Sequence, residues 1–97
     1  MPTYITLLRW TQKGIEQVKD SAARYEGAKK LFESMGAEIK AIYLVMGQYD
    51  LVIVTEGPDD ESLAKAALAA ASRGFVRTES MRAFTEDEYR RIIADLP

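Results

Sequence analysis

Two of the residue types that most often serve in catalysis and metal binding are missing from this chain altogether. Its 97 residues include no cysteine and no histidine. Without cysteine there is no disulfide and no thiolate to act as a nucleophile or a metal ligand. Without histidine there is neither the most common metal ligand nor the side chain best suited to proton transfer near neutral pH. We therefore expect no metal and no cofactor, and no known catalytic motif is recognisable in the sequence.

The charge balance and the lengths of the apolar runs exclude further classes. The formal net charge is -2, and lysines and arginines are scattered among acidic residues. This gives no basic field for a phosphate backbone, so we expect no nucleic acid partner. No apolar run approaches the roughly 20 residues of a membrane span, and the amino-terminal residues read as a strand rather than a signal peptide. A cytoplasmic protein with a single domain over residues 1–97 is the resulting expectation.

The chain shows a regular succession of strand and helix patterns. Residues rich in β-branched and aromatic side chains predict strands at 3–10, 38–46, 49–55 and 75–84. Thr11 is predicted to cap a short turn, Ser21 to cap a helix that ends at Gly36, and Asp59 to Glu61 to begin a helix that ends at Gly74. Thr85 and Glu88 predict a capping box for a terminal helix. The order predicts an α+β, ferredoxin-like βαββαβ fold with a four-stranded antiparallel sheet and a C-terminal helix.

The segment around Gly47 and Gln48 predicts a tight hairpin. A two-residue turn places Met46 opposite Tyr49, and counting outward sorts the two strands into faces. One face carries Ile42, Leu44, Met46, Tyr49, Leu51 and Ile53. The other carries Ile39, Ala41, Tyr43, Val45, Asp50, Val52 and Val54.

Both faces of this hairpin are mostly apolar, although two helices can cover only one face of the sheet. The terminal helix can bury one side through Tyr89, Ile92, Ile93 and Leu96, but it is too short to shield four strands. We therefore predict a homodimer or higher homo-oligomer that packs through the open sheet face.

The aromatic residues and one carboxylate are the candidate site residues. Tyr4, Trp10 and Tyr43 are candidates to line a cavity for a flat apolar ligand, with core and interface packing as the alternative. Tyr49 and Asp50 are a candidate functional pair. Their alternative is structural: Tyr49 packs at the start of a strand, and Asp50 accepts hydrogen bonds from the backbone or from an arginine.

The remaining charged clusters have structural explanations. The acidic residues 59–61 and 86–88 are predicted to cap helices rather than to hold a metal ion. Arg77, Glu79 and Met81 share one face of the fourth strand. The charged residues of this strand favour an edge strand that is protected by charge, and the alternative is a polar wall of a cavity.

Several blocks of the sequence together resemble the GYD-domain family of small bacterial and archaeal proteins. They are PTYITLL at residues 2–8, WT at 10–11, VKDS at 18–21, YLVMGQYDLV at 43–52, VRT at 76–78 and RAFT at 82–85. Gly47, Tyr49 and Asp50 match the motif that gives the family its name, with Gln48 interposed. The resemblance implies a ferredoxin-like domain of the dimeric α+β barrel type, without an established function or agreed catalytic residues.

A wider similarity links the sequence to other dimeric α+β barrel proteins. The effector-binding domains of leucine-responsive regulators have a similar hairpin, which implies a small-molecule site near Gly47, Tyr49 and Asp50 at a subunit boundary. The sequence shows no DNA-binding helix-turn-helix segment ahead of the domain, so a stand-alone ligand-binding role is the most that this similarity implies. Cofactor-independent monooxygenases share the architecture and would point to Trp10. Haem-binding relatives use an axial histidine, which this sequence lacks.

Three hypotheses follow from the sequence. The leading one is a non-enzymatic oligomeric module that binds a small, partly apolar molecule in a pocket lined by Tyr4, Trp10, Tyr43 and Tyr49, with Asp50 nearby. The second is a cofactor-independent oxygenase or isomerase in which Asp50 or Tyr49 handles the proton. The third is a structural subunit that assembles with other chains.

Overall fold

The computed structural model describes all residues from Met1 to Pro97 and contains one antiparallel sheet. The strands are β1 (Thr3–Trp10), β2 (Glu38–Leu44), β3 (Leu51–Glu56) and β4 (Val76–Ala83), in the order β2-β3-β1-β4. The helices are α1 (Gln12–Glu16), α2 (Ser21–Ser34), α3 (Asp60–Ala71) and α4 (Glu86–Ala94), with a 3-10 turn at Val18–Asp20. This order confirms the predicted ferredoxin-like fold. None of the helices has the length and apolar character that crossing a bilayer requires.

Local capping signals explain where most helices begin. The Asp59 carboxylate accepts a hydrogen bond from the Ser62 amide at 2.7 Å, at the start of α3. Thr85 and Glu88 form the predicted capping box of α4. The predicted N-cap at Ser21 is wrong by one residue. The 3-10 turn leads directly into α2, so Ser21 is already helical and Asp20 is the N-cap.

The core lies between one face of the sheet and helices α2 and α3. Tyr4 on β1 and Ile53 on β3 are buried on this face against Phe32 of α2 and Leu63 and Ala66 of α3. The small alanine side chain lets α3 lie close to the sheet. Only 11 of the 97 residues are buried, so much of the apolar surface of the single chain still meets solvent.

A bulge in β2 changes one predicted face. Ala41 pairs with Val54 but Ile39 pairs with Thr55, because Lys40 is an extra residue in the ladder. Ile39 therefore packs against the core, and its predicted place on the opposite face is wrong. Strict alternation along a strand cannot reveal a bulge, which shifts every residue beyond it by one position.

The hairpin strands are shorter than predicted. The ladder between β2 and β3 ends at the pair Leu44 and Leu51, so the strand ends predicted at Met46 and Tyr49 are wrong. A hydrogen bond from the Val45 amide to the Asp50 carbonyl, at 2.9 Å, continues the register for one more step. The predicted position of the fourth strand at an edge of the sheet is confirmed, because β4 pairs only with β1.

Helix α4 does not bury its apolar side within this chain. The exposed fractions of its large apolar side chains run from 42% for Ile92 to 59% for Tyr89, and Leu96, just beyond the helix, is 61% exposed. None of the residues of α4 is buried. The prediction that Tyr89, Ile92, Ile93 and Leu96 bury one side is therefore wrong for a single chain. Capping and local helix propensity form this helix, whereas tertiary packing within the chain contributes little.

The short helix α1 closes one end of the sheet by a close approach to the chain before β4. The Thr11 amide donates to the Phe75 carbonyl at 3.0 Å. A Cβ atom at Gly14 would lie only 2.0 Å from the same carbonyl oxygen. Only glycine fits at this position, and the contact holds Trp10 and Phe75 at the same end of the fold.

Candidate functional site

The four aromatic residues predicted to line one pocket lie on two faces of the sheet. Trp10 lies on the helix-covered face and lines a groove there. Tyr4 is buried on that face near the opposite end of β1, where its hydroxyl donates to Asp60 at 2.5 Å. Tyr43 and Tyr49 lie on the other face. A single pocket lined by all four is therefore wrong, because side chains alternate between the faces along each strand.

Tyr4 makes a structural contact between the sheet and α3. Burial, followed by the hydrogen bond and negative charge of Asp60, raises the pKa of Tyr4 to about 12. The phenol therefore keeps its proton at physiological pH and donates it to the first turn of α3. This contact ties β1 to the start of α3.

The carboxylate of Asp50 has a backbone partner. Its Oδ2 accepts a hydrogen bond from the amide of Trp10 at 2.9 Å, and its own amide donates to the Leu8 carbonyl at 2.9 Å. The Trp10 amide lies beyond the last β1–β3 pair, Leu8 and Leu51. The side chain of Asp50 thus satisfies a donor that the ladder leaves unpaired, as in the structural alternative considered for this residue.

The hairpin tip, residues 45–50, is anchored across the open side of the sheet. The Tyr49 hydroxyl donates to Glu79 of β4 at 2.6 Å, and this hydrogen bond raises the pKa of Tyr49. The guanidinium of Arg9 lies 4.6 Å from the Tyr49 ring centroid, and its Nε donates to the Gln48 carbonyl at 2.9 Å. The face predicted for Tyr49 is wrong, because strand alternation does not extend through the tip.

Gly47 is required at the tip for its backbone conformation. Its φ is +110°, a value that side chains other than glycine rarely adopt. A Cβ atom there would meet nothing within 4 Å. The predicted turn at Gly47 and Gln48 thus acts by aiming Tyr49 and Asp50 at their partners on β1 and β4.

An apolar groove opens between α2, α3 and the sheet. Its cavity volume is about 90 Å³, smaller than the roughly 150 Å³ of an engineered apolar cavity that binds benzene. We call this cavity the groove. It is lined chiefly by Leu8, Trp10, Tyr25, Ala28, Leu31, Ile42, Leu51, Ala70, Phe75 and Val76, with Arg24 and Arg73 as its charged residues.

Positive charge without a carboxylate partner gathers at one part of the groove. The guanidinium of Arg24 lies 4.4 Å from the Phe75 ring centroid, and its Nη1 donates to the Gln17 carbonyl at 2.9 Å. Its Nη2 is buried and has no hydrogen-bond partner. Lys13 also lies over Phe75, and its Nζ donates to the Arg73 carbonyl at 3.2 Å. None of the side chains of Arg24, Arg73 and Lys13 takes part in an ion pair.

The sequence interpretation missed Arg24 and Arg73. A signal was present for Arg24, because it falls within the stripe of α2 that also carries Tyr25, Ala28 and Leu31. An arginine at such a position points toward a groove or the core rather than toward open solvent. Arg73 follows α3 and gave no comparable signal. Its guanidinium reaches α2 beside Gly27.

The outward side of the sheet, which we call the open face, is the second apolar surface. Tyr43 is 59% exposed and Met81 is 43% exposed. The strand register places further apolar side chains between them: Ile5, Leu7, Val52 and Val54. No helix of the chain covers this surface.

Carboxylates at the starts of α3 and α4 act as helix caps. The structure contains no group of three or more acidic side chains placed to hold a metal ion. Hydrogen bonds from the backbone and then the side chain of Ser62 lower the pKa of Asp59, and a hydrogen bond from the Thr85 backbone lowers the pKa of Glu88. Both carboxylates therefore serve as helix caps.

The element order and sheet topology define a ferredoxin-like α+β domain, and the same fold occurs in feast or famine regulatory proteins. A regulator of this type from Mycobacterium tuberculosis, solved in complex with L-methionine, superimposes with a TM-score of 0.67 over 88% of this chain at 18% identity. The match covers 51% of the regulator, so the chain spans about half of its length. At this identity the likeness shows the fold alone.

The chain belongs to the GYD domain family, whose model matches residues 4–93. It is 39% identical over 84 residues to a Thermus thermophilus protein named "Glutamine synthetase and cystathionine beta-lyase binding protein", across 86% of this chain and 88% of that protein. It is also similar to a crystal structure of a protein from the same species, with a TM-score of 0.56 and 25% identity, covering 88% of this chain and 95% of the other.

Proposed function

We propose that this protein is a non-enzymatic binding protein that forms a homodimer through its open face and binds an enzyme as its partner. The observation that carries the proposal is that two apolar surfaces, the open face and the apolar side of α4, have no partner within the chain. Exposed apolar patches of this kind mark interaction surfaces in soluble proteins. A single-domain protein in the cytoplasm is part of the proposal.

The open face suits a second copy of the same chain. Its apolar side chains extend from Tyr43 on one edge strand to Met81 on the other, which gives a continuous surface across the sheet. Two such surfaces related by a two-fold axis cover each other, because an isologous interface needs only one self-complementary patch. Burial there would also add to the small core of the single chain.

The apolar side of α4 suits a different protein. It presents Tyr89, Ile92 and Ile93 at helical spacing on an element that packs little against its own sheet. A helix of this kind binds by laying its apolar face into a hydrophobic groove of a partner. The name of the 39% identical relative supports enzymes such as glutamine synthetase as the class of partner.

The contacts of Tyr49 and Asp50 support binding over catalysis. Asp50 is engaged by the Trp10 amide, and Tyr49 donates to Glu79, which raises its pKa. A proton-handling group needs a pKa near the working pH and a free position facing the substrate. The Tyr49 hydroxyl and one carboxylate oxygen of Asp50, Oδ2, are committed to holding the hairpin tip.

The partner is tested by capture of purified glutamine synthetase and cystathionine β-lyase from the source organism on immobilised protein. We expect retention of at least one enzyme and loss of retention in Ile93→Lys. Ala94→Lys is the matched control, because it places the same side chain on the neighbouring, polar side of α4. Equal retention by Ile93→Lys and the wild type would remove α4 from the interface, and retention of neither enzyme would contradict the partner class.

The homodimer is tested separately by light scattering at micromolar concentration. We expect a dimer mass for the wild type and a monomer mass for Val52→Lys, because the lysine places a charge in the middle of the open face. Ala64→Lys, on the exposed side of α3, should remain dimeric. A wild-type protein that is monomeric and well behaved would contradict the proposal.

A second candidate function is small-molecule binding, and the groove beside Trp10 is the observation that favours it. The groove is mostly apolar and carries few polar groups, as ligand pockets commonly do. Thermal shift and native mass spectrometry against a metabolite library would test it. We expect at least one stabilising ligand whose binding is weakened in Trp10→Ala. Unchanged binding in that variant would remove the groove as the site.

A further inference from the structure

We propose that the groove binds a short, apolar monocarboxylate whose carboxylate pairs with Arg24. This inference rests on the small-molecule candidate above and names the chemical class of the ligand. It is carried by the combination of a mostly apolar cavity and a guanidinium nitrogen, Nη2 of Arg24, that is buried without a hydrogen-bond partner.

The unpartnered nitrogen indicates the charge of the ligand. Leaving a buried donor of a charged group unpaired costs more than the net gain from an average hydrogen bond, so native structures normally provide a partner. Nη1 of Arg24 already donates to Gln17, and the guanidinium lies over the Phe75 ring. A planar carboxylate in the groove would supply the missing partner after a small shift of the Arg24 side chain, because Nη2 is buried in this structure and guanidinium groups match carboxylates in both geometry and charge.

The surrounding charges favour an anion in the same place. Arg73 lines the groove with Arg24, and the ammonium group of Lys13 also lies over the Phe75 ring. No carboxylate of the chain lies within ion-pair distance of any of them. In a chain with a net charge of -2, this local excess of positive charge would attract an anion toward the groove.

The size and lining of the groove determine the size and polarity of the rest of the ligand. Its cavity volume is about 90 Å³. By proportion with the roughly 150 Å³ cavity that holds benzene, this volume takes an apolar group of about four carbons. Trp10, Ala28 and Leu51 offer such a group apolar contacts and no further charge. A nucleotide or a sugar phosphate is too large and too polar for this lining.

The experiment uses isovalerate, which joins a four-carbon apolar group to a carboxylate, and follows the fluorescence of Trp10. This residue is the only tryptophan in the sequence and lines the groove, so its emission reports occupancy directly. Isovaleramide tests the charge with the same shape, and acetate tests the carboxylate without the apolar group. All titrations are run at constant ionic strength.

We expect a saturable change with isovalerate and affinities at least about tenfold lower for isovaleramide and for acetate, because a charge-assisted pair and the apolar contact are each removed in turn. Arg24→Gln should lose the preference for isovalerate over isovaleramide. Arg91→Gln, the same change on the polar side of α4, should keep it. If Arg24→Gln does not fold, Ala28→Leu provides the second variant: it fills the groove and should abolish binding while Arg24 stays in place.

The outcomes separate this inference from the small-molecule function on which it rests. Equal binding of isovalerate and isovaleramide would overturn the role of Arg24 and leave an apolar groove ligand. Equal binding of isovalerate and acetate would show a surface anion site and overturn the inference. The absence of a saturable change with isovalerate would also overturn it. In that case a library ligand that depends on Trp10 would still support binding in the groove.

Discussion

The hydrogen bond between Asp50 and Trp10 makes a quantitative prediction about the family motif. Replacing Asp50 by alanine removes the acceptor and leaves the Trp10 amide, which the β1–β3 ladder does not pair, without a partner. Hydrogen bonds to charged groups contribute about 1.5–3 kcal/mol. Because the bond is only partly buried, we expect the lower part of this range, about 1.5–2 kcal/mol.

Asp50→Asn separates the hydrogen bond from the charge. The asparagine oxygen can still accept from the Trp10 amide, so only the difference between a charged and a neutral hydrogen bond is lost. We expect a cost of about 1 kcal/mol or less. A catalytic carboxylate would behave differently, because Asp50→Asn would then fold normally and still lose all activity.

Urea denaturation at one fixed protein concentration is the suitable assay, since dimerisation makes stability depend on concentration. With a slope of about 1–1.5 kcal/mol per molar urea for a small protein, Asp50→Ala should lower the midpoint by about 1–2 M. Asp87→Ala is the control: Asp87 is exposed in the first turn of α4 and should cost only about 0.3–1 kcal/mol. A midpoint for Asp50→Ala no lower than that of the control would refute the structural role of Asp50.

Three further predictions concern packing and titration. Gly14→Ala should destabilise the protein by about 2 kcal/mol or more in urea denaturation, because its Cβ would lie 2.0 Å from the Phe75 carbonyl oxygen. Tyr4→Phe should cost about 1.5–2 kcal/mol and reduce the loss of stability at alkaline pH. The raised pKa of Tyr4 makes the wild type lose stability as pH rises from about 10 through about 12. Because the pKa of Asp59 is lowered in the folded protein, its ionised carboxylate stabilises the fold at pH values above the ordinary pKa of an aspartate, and this stability is lost on acidification. Thermal melts of Asp59→Asn should therefore depend less on acidic pH.

Each of these predictions has a control within the chain. Gly27→Ala should be neutral or stabilising by about 0.5–1 kcal/mol in a helix, because the nearest atom to its Cβ is 3.5 Å away, on Arg73. If Gly14→Ala were as stable as Gly27→Ala, the close approach at Phe75 would be wrong. Tyr43→Phe removes a hydroxyl that has no hydrogen bond within the chain. If Tyr4→Phe and Tyr43→Phe showed the same dependence of stability on alkaline pH, the assignment of that dependence to Tyr4 would be contradicted. Ser62→Ala keeps the Asp59 carboxylate and the larger of its two hydrogen bonds, the one from the Ser62 backbone, so it should retain most of the acid dependence.

The fold could be predicted from the amino-acid sequence because each element carries its own local signals. The strand of residues 3–10 has the observed bounds, and the capping pair Thr85 and Glu88 begins α4 as predicted. Alternating apolar residues also placed Ile42 and Tyr43 on their correct faces. Local propensity, capping and periodicity act over a few residues, so a single sequence is enough to read them.

The contacts of the motif residues, in contrast, depend on how the elements pack together. Tyr49 meets Glu79 and Asp50 meets Trp10 across 30 and 40 residues of chain, distances over which no local pattern operates. The bulge at Lys40 likewise depends on a neighbouring strand. The positive charge beside the groove arises because the sheet, α2 and the end of α3 bring Arg24 and Arg73 together around the same cavity. A long-range contact gains its free energy only when the whole fold is in place, so these features appear in the tertiary structure and not in any local pattern of residues.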